Sequence, residues 1–228
     1  MKTGAGLPSR ESGGRNTGAS AEISLAPRCA FRVLHSTVIH RPASLTEPLS
    51  IAGLFPRSRP MEVELGSGDG SFLVRYAGRY PDRNFLGVER LLGRLRKIDR
   101  KAQHAGLANL RLLRIEASYF LEYLLPGASV TALHIYFPDP WPKRKHRKNR
   151  LINERFPGLA RRVLAPGGTI HLRTDDADYF SQMNASFAGQ PDFAPVEGPS
   201  GLRELLTDFE SDFHARGIRT WHATWQRT

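Results

Sequence analysis

An α/β fold, with a mostly parallel sheet, helices on its faces and right-handed crossovers, is the architecture this sequence predicts. Three observations carry it. From Met61 onward, short apolar runs alternate with longer amphipathic segments. The first run ends in a glycine loop, Gly66-Ser-Gly-Asp-Gly70. The next three runs end at acids: Glu89, Glu116 and Asp139.

Taken in order, residues 1–20 hold Gly, Ser, Arg and Asn with almost no large apolar side chain, and are expected to form a disordered tail. Residues 21–60 scatter Phe31, Val33, Leu34, Val38 and Ile39 among prolines. They read as a loosely packed arm with one short strand near 31–39. The arm's arginines also fit a mitochondrial-type presequence, against which Glu11, Glu22 and Glu47 stand. The catalytic or binding domain is expected over 61–228.

Within that domain, Met61–Leu65 is the first strand, and Ser71–Arg79 a helix burying Phe72, Leu73 and Tyr76. Asn84–Glu89 is the second strand. Leu91–Ala105 has the helical period, with Leu91, Leu92, Leu95 and Ile98 inward, five cations outward and Gly106 as its stop. Leu110–Ile115 is a strand, followed by a short helix near Tyr119–Leu124. Val130–Phe137 is the strand that delivers Asp139. Asn153 is placed to cap a helix burying Phe156, Leu159, Ala160, Val163 and Leu164. Ala165-Pro-Gly-Gly168 turns into the strand Thr169–Thr174. Asp175–Phe187 and Leu202–Arg216 are expected helices, Pro191–Pro199 holds a short strand at best, and Thr220–Gln226 is the last strand. Trp221 and Trp225 share one face of it and are expected in the core.

The 228 residues suit one domain with an appendage, and a net charge of +11 with a pI near 10.4 points to a polyanionic partner. No apolar run approaches the roughly 20 residues that span a bilayer, and the first twenty have no apolar centre of a secretory signal. The single cysteine, Cys29, excludes an internal disulfide and a cysteine-cluster zinc site, which makes a reducing compartment, the cytoplasm, the expectation. The histidines show no ligand spacing, so no metal is implied.

The most telling stretch is Ile135–Arg150, IYFPDPWPKRKHRKNR. Pro138, Pro140 and Pro142 fix φ and forbid helix around Asp139, holding it in a stiff turn. The cations Lys143, Arg144, Lys145, Arg147, Lys148 and Arg150 follow at once. A carboxylate and Trp141 at a strand end, beside such a run, fit a site for a flat, polyanionic substrate. A solvated loop and a core anchor are the plain alternatives.

In a sheet of this kind, ligands bind where the carboxyl ends of the strands open into a crevice. Glycine loops there serve nicotinamide, flavin and S-adenosylmethionine alike, but Glu64 and Asp69 would oppose a pyrophosphate on the loop. A sulfonium, an ammonium and a ribose diol all favour carboxylates. Glu89 stands 23 residues beyond Gly66, near the spacing of an acid that accepts ribose hydroxyls.

Together ELGSGDG, the acid ending FLGVE, the FPDPWPK run, RVLAPGG, LRTD and the late TDFE resemble the bacterial tRNA (guanine-N7)-methyltransferases. The resemblance covers about Met61 to Trp225 and leaves the first 60 residues unmatched. It implies a Rossmann-like class I fold that uses S-adenosylmethionine to methylate N7 of a tRNA guanosine, at position 46 of the variable loop. No membrane partner is expected, and the sequence leaves monomer and homodimer both open. By the same resemblance Glu64, Gly66, Gly68, Glu89 and Glu116 match cofactor positions, and Asp139 the catalytic carboxylate that also borders the cofactor. Lys143, Asp175 and the segment Thr207, Asp208, Phe209, Glu210 match substrate positions. Glu116 departs from the usual Asp or Asn by one methylene.

Guanine N7 has a lone pair and no proton to lose, so Asp139 is read as an orienter and electrostatic stabiliser rather than a base. The outer face of Leu91–Ala105 and the Lys143–Arg150 run are expected on phosphates. Thr207 and Glu210 also spell a helix capping box, and Asp175 a first-turn acid, so structural roles stand beside the substrate ones. Three other functions remain at this point: a methyltransferase of this fold acting on another RNA or a basic protein, a non-catalytic RNA-binding protein, and a nicotinamide oxidoreductase. The last lacks any residue placed as a hydride-site acid or base.

Overall fold

Parallel strands covered on both faces are buried along their whole length, as β2 (Met61–Leu65) and β3 (Asn84–Val88) are at every residue, Glu62, Glu64 and Asn84 included. The structure, a computed structural model, describes residues 37–228. The expected tail and the first part of the arm lie outside the described residues. The other strands are β1 (Ile39–His40), β4 (Leu110–Leu113), β5 (Val130–Tyr136), β6 (Leu164–Thr174), β7 (Phe193–Val196) and β8 (Trp221–Arg227). They form one sheet in the order β1-β4-β3-β2-β5-β6-β8-β7. All pairs from β1 to β6 are parallel, and β8 runs antiparallel to both β6 and β7. The chain winds outward from β2 through β3 to β4, then restarts on the other side at β5. That reversal opens a crevice at the carboxyl ends of β2 and β5.

Helices cover both faces. α1 (Ser71–Arg79) buries Phe72, Leu73, Tyr76 and Ala77, and α2 (Leu92–His104) buries Leu95, Ile98 and Ala102. These pack in one core cluster with Phe85, Leu110 and Tyr136. The opposite cluster gathers α4 (Phe156–Val163) and α5 (Ala177–Phe187) against Val63, Val88, Leu133 and Ile170. Leu49, Leu54 and Phe55, from the described part of the arm, are buried in that second cluster. Trp225 stacks on Phe187 at 5.2 Å within it, and Trp221 stacks on Phe180 at 6.3 Å.

Several boundaries differ from the sequence reading, each for a local reason. The helix expected near Tyr119 begins earlier: α3 (Ala117–Tyr119) is capped by Glu116 and continues as a π-helical turn over Phe120–Leu124. Leu91, expected inward, stands before the first turn of α2 and is exposed. Asn153 does not cap α4; its Oδ1 accepts from Arg155 N at 3.0 Å in a turn one residue short of the helix. The expected helix Leu202–Arg216 is two helices, α6 (Ser200–Arg203) and α7 (Asp208–Ala215). Thr207 sets the break, its hydroxyl capping α7 from an extended backbone. Asp175 lies ahead of α5 rather than in its first turn, because Asp176 takes the cap and accepts from Tyr179 N at 2.7 Å.

Candidate active site

The loop after β2 needs glycine. Gly66 and Gly68 have φ of +83° and +56°, in the left-handed region that side chains avoid. The N–H groups of Gly66 and Ser67 both donate to Val88 O, at 2.9 and 3.0 Å, which stitches the loop to β3. Glu89, just past β3, completes the stitch: Oε2 accepts from Gly68 N at 3.1 Å and Oε1 from Leu91 N at 2.7 Å. Its carboxylate is thereby aimed into a cavity of about 370 Å³ at the crevice.

Glu89, Glu116, Asp139 and Gly66 all line this cavity, which brings together acids from the ends of three strands. Trp141, which the sequence placed beside Asp139 at a substrate site, lines it too, as do Leu91 and Tyr136, neither of which was singled out from sequence as a cavity residue. Tyr136 ends β5 directly before the proline turn. Leu91 is a surface apolar residue that the helical period had assigned to the core.

Glu116 is exposed, and its longer side chain folds back onto the start of α3. Ser118 N and Tyr119 N donate to its two oxygens at 3.0 and 2.8 Å. Burial opposes ionisation there, but these bonds outweigh it and lower the pKa.

Glu64 is buried behind the glycine loop and does not line the cavity; its Oε2 has no hydrogen-bond partner. Burial pushes its pKa up to about 8; Ser67 and Arg173 oppose the shift, while Asp69 and Glu89 reinforce it. Between the ordinary value of 4.5 and about 8, the folded chain keeps Glu64 protonated while the unfolded chain ionises it. Its contribution to stability is therefore complete below that ordinary value and is lost as pH rises through the folded one. Without ligand, Glu64→Gln should abolish a loss on the order of 4 kcal/mol between about pH 5 and about pH 8.5. Denaturant titrations at the two pH values measure it, and equal losses in both proteins would refute this assignment.

Asp139 sits exposed in a strained turn. Phe137 and Trp141, on either side, have φ of +50° and +43°, a conformation that costs each about 1–3 kcal/mol and persists only when its surroundings hold it. Beyond the turn, Arg144–Asn149 coils into a 3-10 helix with Lys143 at its head. Lys143, Arg144, Lys145, Arg147 and Lys148 are exposed, but Arg150 is buried and does not belong to that outward face.

The four residues of the late segment have separate fates. The capping box is half formed: Thr207 Oγ1 accepts from Glu210 N at 3.0 Å, but Glu210 does not bond back. Its fully buried carboxylate instead accepts from Arg173 Nη1 at 2.6 Å and pairs with His222 Nε2 at 2.5 Å. Burial opposes that charge, but His222 and Arg173 hold its pKa at about 2. Asp208 accepts from Ser71 Oγ and lies 3.8 Å from Arg75, tying α7 to the start of α1. Phe209 alone offers an exposed ring, 6.5 Å from that of the cavity-lining Phe137. Asp175 is half-buried and Lys143 exposed; none of these substrate candidates lines the cavity.

Among the described residues no cluster of three potential ligands stands ready for a metal ion, and no helix is long and apolar enough to cross a membrane. Solved structures share the fold. The 16S rRNA methyltransferase KamB aligns with a TM-score of 0.53 at 18% identity, over 74% of this chain and 88% of its own. TrmN from Thermus thermophilus aligns with a TM-score of 0.54 at 18% identity, over 75% of this chain and 45% of its own. The sheet order and these likenesses make the fold a Rossmann-like class I methyltransferase fold.

Sequence relatives are nearer. A family described as "Putative methyltransferase" matches residues 58–225. The tRNA (guanine-N(7)-)-methyltransferase of Sodalis glossinidius is 36% identical, over 78% of this chain and 75% of its own. That of Geobacter metallireducens is 33% identical, over 82% of this chain and 91% of its own. With the glycine loop, the strand-end acids and the proline-held Asp139 all in place, the chain belongs to the tRNA (guanine-N7)-methyltransferase family.

Proposed function

We propose that this protein methylates N7 of a guanosine in tRNA, at position 46 of the variable loop, producing 7-methylguanosine and S-adenosylhomocysteine. The observation that carries the reading is one cavity at the switch point of the sheet, faced by both Glu89 and Asp139. The chain's groups suit S-adenosylmethionine. Glu89 presents an anchored carboxylate for a ribose diol, while Glu64 lies buried with its Oε2 unpartnered. Glu116 borders the cavity while holding its own helix. When bound, S-adenosylmethionine supplies an electrophilic methyl group on a sulfonium.

Asp139 orients the guanine and faces the positive charge that its ring gains, in a turn too stiff to need reorganisation. Phe209 stacks against the base from beside Phe137, and Lys143 and Asp175 contact the substrate. Thr207, Asp208 and Glu210 hold the segment that carries Phe209 in place.

Exposed cations from Lys143 to Lys148 and along α2 grip the RNA backbone, a contribution that weakens as salt rises. Replacing Lys145, Arg147 and Lys148 with alanine should lower the slope of log Kd against log salt by about 2. Filter binding across a salt series checks this, and an unchanged slope removes the run from the interface. The protein acts in the cytoplasm as a monomer or homodimer. Nucleoside analysis of total tRNA, incubated with the protein and labelled cofactor, tests the reaction. 7-Methylguanosine is the expected product; label in another nucleoside, in another RNA or in protein would overturn it.

A further inference from the structure

Prolines stiffen the turn that carries Asp139, but it has few hydrogen bonds to fix its place. Prolines at 138, 140 and 142 remove three of its backbone donors, and two neighbours sit in costly left-handed conformations. Its fixed shape therefore depends on something that grips a carbonyl from outside. Arg150 does so: its Nε donates to Pro140 O at 2.7 Å.

This arginine is itself immobilised. Nη1 donates to Gln182 Oε1 at 2.6 Å and Nη2 to Asp178 Oδ2 at 2.7 Å, both on α5. The guanidinium lies 4.6 Å from the centre of the Tyr179 ring, and Tyr179 OH in turn accepts from Ile152 N at 2.9 Å. Arg150 is only 1% exposed and heads the fully buried side chains by size. A charge so placed cannot reach a phosphate, although it closes a run whose other cations face outward.

We infer that Arg150 is a positioning residue for methyl transfer: it fastens the Asp139 turn to α5 and takes no part in gripping RNA. A planar fork with three differently directed bonds suits this task, and an ammonium does not. The inference rests on Asp139 being the carboxylate beside the reacting guanine.

Arg150→Met keeps the volume and leaves no buried charge unpaired, since the carboxylate of Asp178 is half exposed. The expected result is a fall in kcat of about 10- to 100-fold, the scale of a misplacement near 1 Å. Affinities for cofactor and tRNA, and the salt slope of tRNA binding, should match wild type. A lowered tRNA affinity with a flatter slope would make Arg150 a phosphate ligand and overturn the inference. Unchanged kcat would overturn it equally. If Arg150→Met does not fold, Arg150→Lys decides by the same readings, with a smaller fall in kcat expected. Asp139→Ala, run alongside, separates the two failures. Full activity in that variant removes the reading of Asp139, whereas loss there with normal kcat in the Arg150 variants removes only the inference.

Discussion

Asp139→Ala should lower kcat by about 10²–10³-fold, the usual result of deleting one preorganised electrostatic group, while tRNA affinity stays close to wild type. The reason lies in the acceptor. N7 attacks through a lone pair that is already free, so no proton transfer limits the step. What changes along the reaction is the charge of the base, which becomes cationic as the bond forms. A carboxylate held in place beforehand stabilises that charge without moving. The proposed arrangement for this is a strand end, β5, a proline-rich turn and an exposed side chain at the cavity. Single-turnover rates with saturating tRNA and cofactor measure the effect, and separate binding curves measure what is left. Equal losses in rate and affinity would assign Asp139 to binding or folding.

Arg173→Leu is expected to be the most destabilising single change in the C-terminal half. Arg173 is buried, and one guanidinium serves four partners. Nη1 donates to Glu210 Oε2 at 2.6 Å and to Leu205 O at 2.9 Å, Nη2 donates to Leu202 O at 2.5 Å, and the Tyr136 ring lies 4.5 Å from its carbon. Removing one member of a buried ion pair leaves the other charge without compensation, at about 3–5 kcal/mol. Here that charge is Glu210, which keeps only its contacts to His222 and Thr220. The folded pKa of Glu210 is depressed to about 2 from an ordinary 4.5. Its contribution is thus present above the ordinary value and lost as pH falls toward the depressed one. The stability gap between wild type and variant should accordingly narrow in acid. Urea titrations at neutral pH and in acid check both magnitude and sign; a gap independent of pH would place the loss in packing. The same change removes the bonds from β6 to Leu202 and Leu205, so the surviving folded protein should lose more affinity for tRNA than for cofactor.

What was legible in the sequence follows from how local its causes are. Strand and helix order could be read because each run carries its own period, and the glycine loop because positive φ is written in residue type. The grouping of Glu89, Glu116 and Asp139 was legible because a parallel sheet places all its strand ends together. Arg150 was not, since as the last cation of a run it looks like the others. Only the apolar pair Leu151-Ile152 after it marks the return to the core. Arg173 and Glu210 were unreadable as a pair for a similar reason: they lie 37 residues apart and meet only through tertiary packing. The break between α6 and α7 was hidden because the capping signal at Thr207 lay inside an otherwise helical pattern. Buried Glu62 belongs to the same class. It sits in the first strand yet pairs with His134 at 2.7 Å, a partner set by the register of β2 on β5.

One physical idea lies beneath the proposed reaction: the carboxylates of Glu89, Glu116 and Asp139, gathered at one crevice, are to hold a cationic methyl donor. Calorimetric titration of S-adenosylmethionine into wild type and Glu89→Gln addresses it most directly. One site per chain is expected, weakened about tenfold or more by the substitution, as the loss of a charge-assisted contact would require. Undiminished binding in the variant, or no binding to wild type, would contradict it.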